Sequence, residues 1–358
     1  MGNVENRVRN LLDRLNACGF DAVLLHRPEN MRYMTGSTAE GCVFICADET
    51  VVVTDFRYTE QVSRQAPQAR CVMTSAALRE PAAVKQLTDL HNIRRLAVET
   101  DYLTFDAHAE LARALPGVEL GSLQGIPEEL RLVKDEGEID CICRAGDIAS
   151  RAFDNLLGKI HAGMTEKQVQ ILLDYEMLNL GSEGCAFSTI SAAGVNGSLP
   201  HAIPSDYIIR EGDLLTLDFG ATVNGYKSDM TRTVAFGKVK PELRAIYDLV
   251  YDAHMAALEA VKVGMRCGDL DKIARDMIDA RYPGAFGHSL GHGVGLFIHE
   301  QPRVGMGSQT VLEAGHVITI EPGVYIPGLG GCRIEDMAIL TDDGFIDPIT
   351  SPKQFIAL

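Results

Sequence analysis

EGDLLTLDFG (Glu211–Gly220) and AGHVITIEPG (Ala314–Gly323) superpose without a gap, with Gly212 on Gly315, Thr216 on Thr319, Asp218 on Glu321 and Gly220 on Gly323. Each copy leads into a glycine turn and a second strand that carries another acid. NGYKSDM holds Asp229 and GGCRIEDM holds Glu335, with Gly225 aligning on Gly331 after a three-residue offset. Two matches in the same order, each with its acid, read as duplicated halves of one domain.

The first copy can be tested geometrically. If Asn224-Gly225 forms a two-residue type I′ turn, Val223 pairs with Tyr226, Gly220 with Asp229 and Asp218 with Thr231. Side chains alternate along a strand, so Asp218 and Asp229 emerge on one face as diagonal neighbours, roughly 7–8 Å apart at the backbone. Burying such carboxylates unpaired costs several kcal/mol each. Four on related hairpins call for positive charge, and two divalent cations would supply it.

GHSLGHGVGLFIHE places His288, His292 and His299 in a glycine-studded stretch, and NGSLPHAIP adds His201. Together they read as a polar pocket. The zinc-protease motif His-Glu-x-x-His is absent here, because His299-Glu300 is followed by Gln301-Pro302-Arg303. An oxygen-rich donor set with one imidazole favours Mn²⁺, Co²⁺ or Fe²⁺ over a thiolate-type zinc site. Two such ions sharing a water would favour hydrolysis, with the remaining histidines and Arg333 available to position a carbonyl and stabilise its oxyanion.

Outward from this core, the region from about Ile139 to Tyr282 alternates helical patterns with β-rich, glycine-rich stretches. The helices are expected over Ile139–Ile160, Thr165–Leu180, Pro241–Val261 and Gly268–Tyr282, with Thr165 as an N-cap. Upstream, β-type runs at Ala22, Gly41, Thr50 and Arg94 alternate with amphipathic stretches such as TEQVSRQA and DAHAELARAL, the pattern of an α/β layer domain. The polar segment GIPEELRLVKDEGEID separates the two, so the expected domains are residues 1–130 and 131–358.

The chain has 358 residues and a formal net charge of −16, which disfavours nucleic acid as a partner because phosphate binding needs a basic surface. Its 46% hydrophobic and 23% charged residues are those of a globular protein rather than a disordered or fibrous one. No apolar stretch approaches the roughly 18 residues of a membrane span. The N-terminal MGNVENRVRNLLDRL lacks the apolar centre of a secretory signal, and Asn6 breaks the myristoylation pattern. The nine cysteines are scattered, with no Cys-x-x-Cys pair, and read as reduced thiols in a cytoplasmic protein.

The motifs LPHAIP, LDFGATVNGYKSDMTRT, GHSLGHGVGLFIHE, TIEPGVY and RIEDM together resemble the pita-bread metallopeptidases, in particular the prolidase and aminopeptidase P branch with its creatinase-like N-terminal domain. The resemblance implies an α/β N-terminal domain followed by an α+β pita-bread catalytic domain with an internal pseudo-two-fold. It implies Asp218, Asp229, His292, Glu321 and Glu335 as ligands of two divalent ions, Mn²⁺ foremost with Co²⁺, Fe²⁺ or Zn²⁺ as options, and Asp229 and Glu335 as bridges. A metal-bridging hydroxide would attack the Xaa-Pro bond of short peptides. His201, His288 and His299 would contact substrate, Glu321 would relay a proton, Arg333 would hold the ligand network and Tyr325 would support it.

Arg303 is a candidate for the free carboxylate of a dipeptide substrate. Whether the enzyme takes dipeptides or longer peptides stays open at this point. Relatives of this kind are commonly homodimers. A methionine aminopeptidase would share the ligands but ordinarily lack the first domain. A creatine hydrolase would share both domains yet need no metal, and non-catalytic peptide-binding relatives keep the fold alone.

Overall fold

Central strands that are apolar at every position need cover on both faces, and the N-terminal unit provides it. The computed structural model describes residues 4–358, so the first three residues of the N-terminal stretch read above lie outside it. The chain divides into two compact units, one ending at Arg131 and the other spanning Leu132–Leu358.

The first unit is built on a six-stranded sheet of β1 (Ala22–Leu25), β2 (Cys42–Cys46), β3 (Thr50–Thr54), β4 (Arg70–Met73), β5 (Arg95–Val98) and β6 (Glu119–Ser122), in the order β4-β3-β2-β1-β5-β6. The β1–β2 and β2–β3 pairs are antiparallel and the outer pairs parallel. Helices α1 (Val4–Ala17), α2 (Pro28–Thr35), α3 (Thr59–Gln65), α4 (Glu80–Leu90), α5 (Phe105–Ala114) and α6 (Ile126–Leu130) complete it. Leu24, Phe44, Val51, Val53 and Leu96 pack with Val84 and Leu87 of α4 and Leu111 of α5. Each such side chain is worth roughly 1.5–3 kcal/mol when buried.

The second unit repeats one plan. Its first half runs α7 (Glu136–Leu157), α8 (Glu166–Asn179), β7 (Ile190–Ala193), β8 (Leu214–Phe219), β9 (Thr222–Val223), β10 (Tyr226–Lys227) and β11 (Met230–Ala235). Its second half runs α9 (Pro241–Ala260), α10 (Cys267–Asp279), β12 (Gly291–Gly293), β13 (Glu300–Val304), β14 (Val317–Ile320), β15 (Gly323–Ile326), β16 (Gly330–Arg333) and β17 (Asp336–Thr341), then β18 (Gly344–Ile346) and β19 (Ile356–Ala357). In each half a helix pair precedes an antiparallel trio, β7-β8-β11 or β12-β14-β17, with a small ribbon, β9-β10 or β15-β16, at its tip. That is the internal repeat seen in the sequence.

Local chemistry sets these boundaries. Thr165 caps α8, its hydroxyl accepting from Gln168 N while the Gln168 side chain accepts from Thr165 N. Asp135 makes the same reciprocal box with Glu138, so α7 begins three residues before the expected Ile139. At the tip of β9-β10, Asn224 and Gly225 both take positive φ, +47° and +73°, as a type I′ turn requires. Among the described residues, no helix is long and apolar enough to cross a membrane.

Candidate active site

The register of the two hairpins brings the acids together. Asp218 in β8 faces Thr231 in β11, and Val223 faces Tyr226, as the turn demanded. In the other half Ile320 faces Asp336 and Gly323 faces Arg333, so Glu321 and Glu335 lie between two pairs of one register. The halves join at Thr231 and Glu335, where a lone antiparallel bridge forms and Glu335 N donates to Thr231 O at 3.1 Å. Thr231 Oγ1 then donates to Glu335 Oε2 at 2.7 Å. Thr231 is thus the stitch between the two acid-bearing ribbons. The hairpin arithmetic paired it with Asp218, but its contact with a residue 104 positions away had no local signal.

His292 arrives from β12 between two glycines. A Cβ on Gly291 would lie 1.9 Å from Thr319 O, and one on Gly293 would lie 2.0 Å from Gln301 O, so only glycine lets β14 and β13 close against the strand. His292 N is further held by Thr319 Oγ1 at 3.1 Å. Its Nδ1 donates to Gly293 O at 3.0 Å, which leaves the Nε2 lone pair facing Asp229 Oδ2 at 3.5 Å and Glu321 Oε1 at 3.4 Å. Donor atoms of Asp229, His292 and Glu335 all lie within 4.8 Å of one another. Asp218 is gripped by Arg333, whose Nη2 donates to Oδ2 at 2.5 Å, while Asp218 Oδ1 is buried with no hydrogen-bond partner.

Electrostatics sets this cluster apart. Burial pushes Asp229 and Glu335 well above the usual carboxylate range, and neighbouring carboxylates push further in the same direction. Burial, aided by Asp218 and opposed by Arg333, carries Glu321 up to about 8. Burial also lowers His292 to about 4, so its imidazole is neutral and a competent ligand. Arg333 sets its cation among the four acids, and burial works against its charge. Tyr325, Asp218, Glu321 and Glu335 outweigh that and hold it protonated.

The chemistry of this donor set fits hard or borderline divalent cations: five converging side chains, an unpartnered carboxylate oxygen and unbalanced negative charge. Among the described residues, two other groupings of ligand-type side chains, both in the first unit, differ. There His91 gives both ring nitrogens to Asp48 and Glu49, at 3.0 and 2.7 Å, and His26 Nε2 meets Glu80 at 2.9 Å.

The remaining sequence-predicted residues surround the cluster. His288 Nδ1 donates to Ser289 O at 2.9 Å, and its Nε2 meets the Tyr325 hydroxyl at 2.8 Å. Tyr325 Oη in turn accepts from Arg333 Nη1 at 2.8 Å. His299 is exposed and sets its ring against His292, centroids 4.5 Å apart. The exposed His201 lies near enough to both His288 and His299 for a charge on it to depress their protonation. Arg303 is exposed, its Nε donating to Ser289 Oγ at 2.8 Å.

Comparison with known proteins gives the family. Residues 140–342 match the family described as metallopeptidase family M24, and residues 7–133 match the creatinase/prolidase N-terminal domain. The chain is 38% identical to an uncharacterised peptidase, YqhT, of Bacillus subtilis (strain 168), covering 98% of this chain and 99% of that one. It superposes on the Xaa-Pro dipeptidase from Bacillus anthracis with a TM-score of 0.95 and 37% identity, covering 99% and 100% of the two chains. The X-Pro aminopeptidase from Thermotoga maritima MSB8 gives a TM-score of 0.91 at 32% identity, over 98% and 100%. With the hairpin acids, the neutral imidazole and the creatinase-type first unit all accounted for, the chain belongs to metallopeptidase family M24.

Proposed function

We propose that this protein hydrolyses the Xaa-Pro bond at the N-terminus of short peptides, using two divalent ions held by Asp218, Asp229, His292, Glu321 and Glu335. In this reading Asp229 and Glu335 would be shared between the two ions, and Mn²⁺ would be the favoured metal. The observation that carries it is the convergence of four acids from two repeated hairpins on one neutral imidazole, with the Arg333 guanidinium paired to Asp218. When bound, the ions supply Lewis acidity that lowers the pKa of a water and polarises a carbonyl.

The chain's own groups do the rest. Arg333 orients Asp218 and Tyr325 at once and contributes fixed positive charge. Glu321 takes a proton from the attacking water and returns it to the proline nitrogen as the C–N bond breaks. His201 and His299 line the exposed side, where they reach the substrate carbonyl and its oxyanion. An Xaa-Pro bond has no N–H and a constrained φ, so a site built on carbonyl activation handles it without needing an amide donor.

Arg303 beside Ser289 is the candidate contact for a free proline carboxylate. The test is a panel of Ala-Pro, Ala-Pro-Gly and Met-Ala peptides assayed with added Mn²⁺, Co²⁺ or Zn²⁺. Cleavage of the Xaa-Pro substrates with Met-Ala spared supports the reading. Preference for Met-Ala, or no cleavage with any metal, overturns it.

A further inference from the structure

Each half of the second unit places a fully buried acid on its second helix, away from the metal-binding cluster, and each acid grips the backbone of a loop that carries a histidine. In the first half it is Glu166, the opening residue of α8. Its Oε1 accepts from Ala193 N at 2.7 Å and Asn196 Nδ2 at 3.0 Å, while its Oε2 accepts from Ser205 N at 3.0 Å and Ser205 Oγ at 2.6 Å. One carboxylate therefore ties together both ends of the loop that contains His201.

In the second half it is Asp271 on α10, paired with Arg275 one turn later through two bonds of 2.7 and 2.8 Å. Asp271 Oδ1 accepts from Leu290 N at 2.9 Å. Arg275 donates to Phe286 O at 2.8 Å and to His288 O at 2.7 Å. Its guanidinium lies 4.3 Å from the Phe286 ring centroid, and that ring stands edge-on to His288. The ion pair thus brackets the turn that presents His288.

Both loops end on the same side chain. Arg333 Nη1 donates to Pro200 O at 3.2 Å, the residue before His201, and to Tyr325 Oη, the hydroxyl that meets His288 Nε2. Its other terminal nitrogen holds Asp218.

We propose that Glu166 and the Asp271–Arg275 pair are positioning residues that set the two histidine loops and, through them, the orientation of Arg333 against Asp218. The inference rests on the hydrolase reading above for its kinetic consequence, though not for its geometry. Arg275 needs its planar fork, because a lysine at that position cannot reach two carbonyls and a carboxylate together. Glu166 needs both oxygens as acceptors, and glutamine supplies one. Displacing a catalytic group by about 1 Å costs on the order of 10²-fold in turnover.

The test uses the full chain loaded with Mn²⁺ and the variants Glu166→Gln and Arg275→Lys. On an Xaa-Pro dipeptide each variant should lower kcat by about tenfold or more with KM within about threefold, and excess Mn²⁺ should not restore it. Independently of turnover, imidazole NMR of the metal-free chain should show the His201 ring signals shifting in Glu166→Gln and the His288 signals shifting in Arg275→Lys. The Arg333 guanidinium signal should move in both. Unmoved ring and guanidinium signals, or full recovery of kcat with added metal, would overturn the proposal. Shifts of every histidine alike would also overturn it, as general loosening. If the parent cleaves no Xaa-Pro peptide, the hydrolase reading fails while the NMR signals still decide for or against the anchors.

Discussion

Glu335 and Asp336 are adjacent, and both are buried, at 1% and 0% exposure, yet they sit in opposite electrostatic worlds. Glu335 faces Asp229, Glu321 and Asp218, and burial with those neighbours pushes its carboxyl up. Asp336 points to the other side of β17. There burial is outweighed by Arg232 at 2.7 Å, His254 at 2.7 Å and Lys353 at 3.2 Å, which hold it at about 2. Burial alone decides nothing, and the supply of positive charge decides which acid is held ionised and which is pushed toward its neutral form. Arg232 couples the two sides, since its Nη1 also donates to Glu335 O at 2.7 Å.

The contrast can be broken by substitution. His292→Ala or Asp229→Ala should abolish turnover, beyond the roughly 10²-fold typical of residues that only support ligands. The metal-free fold of Asp229→Ala should melt no lower than the parent, because that change relieves the crowding of desolvated carboxylates. Activity and metal content, measured after chelation and defined metal add-back, check the first claim, and a thermal melt checks the second. Asp336→Ala should do the reverse. It strands Arg232 and His254 in the interior and should cost about 3–5 kcal/mol in denaturant unfolding.

Metal should act on one side only. Saturating Mn²⁺ at about 100 times its dissociation constant should stabilise the parent by about 2.7 kcal/mol. The same addition to Asp229→Ala should leave its melt unchanged. The smallest effect is acid sensitivity of the metal-free chain. Asp336 is depressed from 3.8 to about 2, so its contribution is present above pH 4 and lost as pH falls toward 2. That amounts to about 2 kcal/mol. Acid titration of Asp336→Asn should lack that component.

The halves of this picture differ in how far they could be read from sequence. The acid-bearing hairpins were legible because repetition is local: LLTLDFG and VITIEPG carry their acids at matching positions, and Asn224-Gly225 fixes the register of the first hairpin. The four helices of the second unit announced themselves by period and by the Thr165 cap, and the strands at Ala22, Gly41, Thr50 and Arg94 by apolar runs, whereas α1, α2, α4 and α6 were not singled out. Strands β4 and β6 passed unnoticed, being four-residue edges whose side chains are mostly half-exposed and so carry no clear alternation.

The supporting side was silent for a different reason. Arg232 and Asp336 are 104 residues apart, and Arg333 and Pro200 133 apart. Glu166 and Asp271 look like ordinary helix acids until the loops they hold are seen in place. Pairings of that kind live in tertiary structure and leave no mark on periodicity or spacing.

The most direct measurement is a titration of Mn²⁺ into the chelator-stripped chain, followed by calorimetry with Ala-Pro hydrolysis assayed at each point. Two ions should bind per chain, and turnover should appear only as the sites fill. Undiminished hydrolysis in the stripped protein, or no binding by the parent at concentrations where hydrolysis occurs, would contradict the caged-cation centre proposed above.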